Sequence, residues 1–224
     1  MNQKKWENRY MRKPIRNNKK IFPLPQSEQT ESVSFRSTSG ISNEILALLH
    51  EKGKQYGIKS IQPFSADDII IAQWVNLKCR YGCSQYKANW SCPPATPNLV
   101  EIRTILNEYS TILLLVSDQS RNDFYRDSNK NRTEQVKLWK GIVSLERMLF
   151  LKGYDKSFSL VSGACSLCKK CAYPDACRFP MEKRPTVESF CIDLVGTLKN
   201  LGIATKIARG LKETFQYYSL ILLD

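Results

Sequence analysis

From residue 42 onward the apolar positions alternate between helical and extended patterns. Behind Ser42 and Asn43, either able to cap a helix, Ile45, Leu48 and Leu49 share one side, and Gly53 or Gly57 supplies the stop. Residues 68–77, with three consecutive isoleucines, predict a strand that delivers the chain to Cys79. Pro97 and Asn98 open a short helix with Leu99, Ile102, Ile105, Leu106 and Tyr109 on one side. Residues 111–116 form a continuous apolar run, as a strand buried on both faces does. The polar segment 118–132 then reads as a solvated crossover or a lid.

The longest helix is expected over 133–151. Leu138, Ile142, Leu145 and Leu149 form its stripe, and Trp139, Val143 and Phe150 widen it enough to require packing on a sheet. Residues 158–161 predict a strand running into Gly163. Pro185 begins a further helix with Val187, Phe190, Cys191, Leu194, Val195, Leu198 and Leu201 on its apolar side, ended by Gly202. Residues 217–223 close the chain as a strand. Strands alternating with helices predict a layered α/β or α+β domain over residues 41–224.

Composition changes this picture at the start of the chain. Residues 1–40 hold nine Lys and Arg against three Glu, with few aliphatic residues, and read as a basic, mobile extension. A solvated tail, a nucleic-acid arm, a contact to an anionic surface and a targeting peptide are the readings such a segment allows; no aromatic–basic recognition pattern favours the second. Its first residues lack the apolar core of a secretory signal, and no apolar run approaches the ~20 residues of a membrane span, so a cytoplasmic setting is expected.

The eight cysteines supply the candidate chemistry. They are clustered, at Cys79, Cys83 and Cys92 and again at Cys165, Cys168, Cys171 and Cys177, with Cys191 alone. Closely spaced thiols in a chain this long suit chelation of a metal centre better than disulfides. Three cysteines at successive spacings of three, followed by Cys177 and Pro180, wrap one compact cluster as ferredoxin loops do, which points to [4Fe–4S] with zinc as the alternative. The first set has no evident fourth cysteine, so it suits a cluster with one differently ligated iron, a metal with an open position, structural zinc, or a set of free thiols. Cys177 could instead complete this first set, as in two-cluster ferredoxins. The spacing of Cys83 and Cys92 departs from the radical-SAM pattern. Cys191 lies on an apolar stripe and reads as a core thiol, with the missing fourth ligand of the first set as the alternative.

Other motifs are sparse. His50 is the only histidine and sits at a charged helix end, which suits a surface position; no Gly-rich phosphate loop exists. Lys78, Arg80 and Lys87 flank the first cysteine set, and Lys169, Lys170, Arg178, Lys183 and Arg184 the second. Such cations would balance an anionic cluster, or attract an acidic redox partner or an anionic small molecule.

Lys78-Cys-Arg-Tyr-Gly-Cys83, Asn89-Trp-Ser-Cys-Pro-Pro94, Gly163-Ala-Cys-Ser-Leu-Cys-Lys-Lys-Cys171, Cys177-Arg-Phe-Pro180 and Arg184-Pro-Thr-Val-Glu188 resemble an uncharacterised family of predicted metal-binding, cysteine-rich proteins common in anaerobic bacteria and archaea. The resemblance runs from about Ile61 to the end of the chain. It implies metal binding by Cys79, Cys83, Cys92, Cys165, Cys168, Cys171 and Cys177, as iron–sulfur clusters in anaerobic redox or cofactor metabolism. One departure is that the family pattern has glycine where this chain has Cys191, before Ile192-Asp193. The expectation is therefore an iron–sulfur protein with one or two [4Fe–4S] clusters. Its rivals are a zinc-stabilised basic nucleic-acid-binding module and a metallochaperone.

Overall fold

The computed structural model describes residues 40–120, 129–205 and 214–224. The basic extension, apart from Gly40, and the middle of the 118–132 segment lie outside the described residues. Within them no helix is long and apolar enough to cross a membrane.

The first helix, α1 (Asn43–Lys54), starts where Ser42 accepts the Ile45 amide, and buries Leu49 completely. The chain then turns through Gly57, at φ 82°, into β1 (Ile58–Ser65). This strand was not expected. Ile58 and Ile61 face one core across a register shift between Ile58 and Ser60, and Phe64 faces the other, so buried residues fall three apart and the alternation is hidden. Pro63 is tolerated because β1 is an edge strand.

The strand expected over 68–77 is corrected. A 3₁₀ turn (Ala66–Asp68) and a single bridge from Ile71 to Ile192 precede a helix, α2 (Gln73–Gly82). The isoleucines do lie extended, but they pair with the segment around Cys191 rather than with the sheet. Helix α2 presents Trp74, Leu77 and Tyr81 to solvent, so an apolar run here did not signal burial.

Helix α3 (Leu99–Leu106) begins with the capping box of Asn98 and Glu101 and buries Ile102 and Leu106. Next come β2 (Thr111–Ser120), the long helix α4 (Asn129–Leu151), β3 (Phe158–Leu160), α5 (Leu194–Asn200) and β4 (Thr214–Leu223). Phe150, expected on the α4 stripe, is exposed.

The four described strands form one sheet in the order β1-β2-β4-β3, antiparallel throughout. The fold is therefore α+β. Strand β2 sits in the interior with both faces covered, which explains its unbroken apolar run. Leu113 and Leu115 pack with Ile221, Trp139, Ile142 and Leu149 on the α1–α4 side. Ile112 and Leu114 pack with Leu220, Ile102, Phe190 and Leu198 on the α3–α5 side.

The helix expected from Pro185 is also corrected. Thr186 bridges Val161, a 3₁₀ turn follows at Glu188–Phe190, and Cys191 stands in the left-handed region at φ 54° before Asp193 caps α5. A continuous helix would need a right-handed Cys191, and the Asp193 side chain would have to release the Gly196 amide. The left-handed backbone gives a physical reason for the glycine expected here from the family resemblance. Gly202 does end the helix, at φ 71°, with the Ile203 amide donating back to the Leu198 carbonyl.

Candidate metal centre

Cys79 lies in the last turn of α2 and Cys83 is its C-terminal cap. Cys92 follows on a buried loop and is 8% exposed. All three border one cavity of about 410 Å³, together with Lys78 and Glu188. Gly163 and Ala164, the residues leading into the second cysteine set, form part of its wall. They also border a second cavity of about 380 Å³ that shares Cys83 with the first.

The loop carrying Cys92 is fixed by its neighbours. Buried Asn89 accepts the Ser91 amide at 2.9 Å, receives Cys92 as a hydrogen-bond partner, and donates to Gln85 at 3.1 Å. Lys87, at φ 58°, donates its amide to the Pro93 carbonyl at 2.9 Å, and the Pro93–Pro94 peptide is cis. The Thr186 amide donates to the Ser91 carbonyl at 3.2 Å, tying this loop to the segment that carries Glu188.

The second set occupies irregular chain between β3 and Thr186. Cys165, Cys168 and Cys171 are close enough for their charges to interact, whereas the Cys177 sulfur accepts the Phe179 amide at 3.4 Å. This segment is held from two sides. From α4, Arg132 donates to the Leu167 carbonyl at 2.9 Å and Trp139 to the Glu182 carbonyl at 2.8 Å. From the first loop, Trp90 donates to the Asp175 carbonyl at 2.8 Å and stacks edge-on against Tyr173 at 5.0 Å. The two cysteine sets are thus physically coupled, with Ser91 beside Cys165.

Burial raises the Cys79, Cys165 and Cys191 thiols, and lifts Cys92 from an ordinary 9.0 to about 12. Neighbouring thiols and Glu188 add to the rise at Cys79 and Cys92. A metal reverses this balance because it binds thiolates, so loading must expel protons. All eight cysteines are free thiols. Among the described residues no three His, Cys, Asp or Glu side chains stand close enough to share one ion. The chemistry of the donors, three sulfurs and two carboxylates around one cavity, fits a thiophilic metal centre of some size.

Cys191 is 1% exposed and packs in the α3–α5 side of the core, though not on a helix as expected. Its thiol pairs with Asn76. Of the flanking cations, Lys78 borders the cavity and lies over the Trp74 ring, and Lys183 lies over Trp90. Arg184 does not face the cysteines as a free cation: it forms a two-point ion pair with Glu146 of α4. Residues missed from the sequence are Glu188, Thr186 and Asn89. Each stands in a motif that carried the resemblance, but nothing local marked its side chain as facing the thiols.

An antiparallel α+β scaffold whose cysteine-bearing segments meet at one end defines a candidate metal-binding domain. The chain belongs to the family of predicted metal-binding proteins (DUF2284), which matches residues 62–223. Neither the curated proteins nor the solved structures gave a significant match.

Proposed function

We propose that the chain is an iron–sulfur protein of the cytoplasm. In this reading Cys165, Cys168, Cys171 and Cys177 hold a [4Fe–4S] cluster that carries electrons. Cys79, Cys83 and Cys92 hold a second cluster with one iron not bound by cysteine. The observation that carries the reading is the cavity onto which those three thiols open, with the root of the second cysteine set as its wall. About 410 Å³ suits a polynuclear centre, whereas zinc needs all its sulfurs within ~2.3 Å of one ion.

When bound, such clusters supply one-electron transfer and, at an iron lacking a thiolate, Lewis acidity. The protein's own contribution is to seat the thiolates, exclude water and supply charge. Lys78 balances negative charge at the first cavity, and Trp90 and Tyr173 shield the junction of the two sets. Exposed Lys169 and Lys170 offer a landing place for an acidic redox partner or an anionic small molecule. Protein purified without oxygen should be brown, with a broad visible absorption that bleaches on reduction. A colourless protein holding about one or two zinc ions would instead support a zinc-stabilised module.

A further inference from the structure

The first cavity offers three thiols, and the fourth donor must come from elsewhere on its wall. Cys191, though near enough for its charge to act on Cys79, does not border the cavity, and its side chain packs with Phe190, Ile192 and Leu198. Two carboxylates do border it, Asp193 and Glu188. Asp193 is committed to capping α5, accepting the Gly196 amide at 2.9 Å. Glu188 caps no α-helix; its carboxylate takes local hydrogen bonds, from its own amide and from Thr186. It opens the 3₁₀ turn, and its charge acts on both Cys79 and Cys92.

Its orientation is built in. Thr186 borders the same cavity and hydrogen-bonds the Glu188 carboxylate. The Thr186 hydroxyl is itself positioned by accepting the Ser189 amide at 3.0 Å. A carboxylate held by a neighbouring hydroxyl is the arrangement expected around a metal-ligating acid.

We propose that the Glu188 carboxylate is the oxygen ligand that completes the three-cysteine centre, with Thr186 as its positioning residue. The inference rests on the iron–sulfur reading of that site. Oxygen is a harder donor than thiolate and holds iron less firmly, so the corner served by Glu188 is the exchangeable one. An incoming anionic or oxygen-bearing small molecule would displace the carboxylate there, with Lys78 close by to offset its charge.

The test uses the full chain purified without oxygen, comparing Glu188→Gln, Glu188→Cys and Cys191→Ala with the unaltered protein by iron analysis and electron paramagnetic resonance. Glu188→Gln is expected to lose about one iron of roughly eight per chain and to show a three-iron signal after mild oxidation. Glu188→Cys, which restores a ligand, and Cys191→Ala are expected to keep the full count. An unchanged iron count and spectrum in Glu188→Gln would overturn the proposal, as would loss of iron in Cys191→Ala alone. The cluster on the second cysteine set is the internal control for folding. If Glu188→Gln loses all its iron, Glu188→Cys decides: full iron supports ligation at this position and a deficit overturns it. Unaltered protein that is colourless and holds zinc refutes the underlying iron–sulfur reading, whereas brown protein with an unaffected Glu188→Gln refutes only the role of Glu188.

Discussion

Breaking the Glu146–Arg184 pair should unfasten the second cysteine segment from α4. The two side chains are 9% and 13% exposed, and Arg184 engages both carboxylate oxygens. Glu146 also accepts the Ser159 amide at 2.8 Å, so one carboxylate secures both β3 and the end of the cysteine segment. Removing either partner leaves a charge in a site that excludes water, at a cost of about 3–5 kcal/mol. For a chain of this length each kcal/mol lowers Tm by ~2–4 °C, so Glu146→Leu or Arg184→Met should melt on the order of 10 °C lower. The double variant carries no unpaired charge. It loses the partners of the Ser159 amide, at about 1–3 kcal/mol, and of the Lys183 carbonyl that Arg184 serves at 2.7 Å, but strands no charge, and should be more stable than either single variant. Urea unfolding of the four proteins closes the cycle, with a coupling of at least ~2 kcal/mol expected. Single variants within ~0.5 kcal/mol of the unaltered chain, the range for ordinary surface changes, or simple additivity would refute this reasoning.

Further outcomes follow from the site and its supports. Because Cys92 is raised from 9.0 to about 12, the folded metal-free chain holds its proton more tightly than the unfolded chain. That contribution is present in full below pH 9 and is lost as pH rises toward 12, so metal-free protein should destabilise over this range while loaded protein, already thiolate, should not; pH-dependent denaturation of both forms tests it. Metal loading should release protons, and metal competition at two pH values should show tighter binding at the higher one. Cys191→Ala should keep the metal content and cost about 1 kcal/mol, the worth of one small buried group, in urea unfolding. Gly141→Ala should destabilise the chain by about 1–3 kcal/mol although alanine favours helix, because its Cβ would stand 2.2 Å from the Tyr56 ring; unchanged or increased stability would contradict the packing of α4 on the α1–β1 turn.

What could be read from the sequence depended on how local each signal was. The Asn98 cap, the run at 111–116 and the α4 stripe act over a few residues, and all three elements form there, although β2 runs on to Ser120 and α4 starts at Asn129, so both described ends of the segment expected as a crossover or lid belong to them. Strand β1 escaped because a register shift and Pro63 break its alternation. Helix α2 escaped because its apolar side faces outward at Trp74 and Tyr81. The Pro185 helix failed at Cys191, where a left-handed backbone is stabilised by distant partners, including the Ala72 amide donating to the Cys191 carbonyl. The same distinction holds in the site. Thiol spacing marked the cysteines, but the meeting of 79–92 with 186–195 around one cavity is a long-range event, so Glu188 and Thr186 emerged only from the fold.

The central claim is that these thiols hold iron and inorganic sulfide. The most direct measurement is the quantity of iron, acid-labile sulfide and zinc per chain in protein purified and handled without oxygen. Iron and sulfide are expected in nearly equal amounts, about eight of each for two clusters, falling to about four when Cys168 is replaced by alanine. Stoichiometric zinc with neither iron nor sulfide would contradict it.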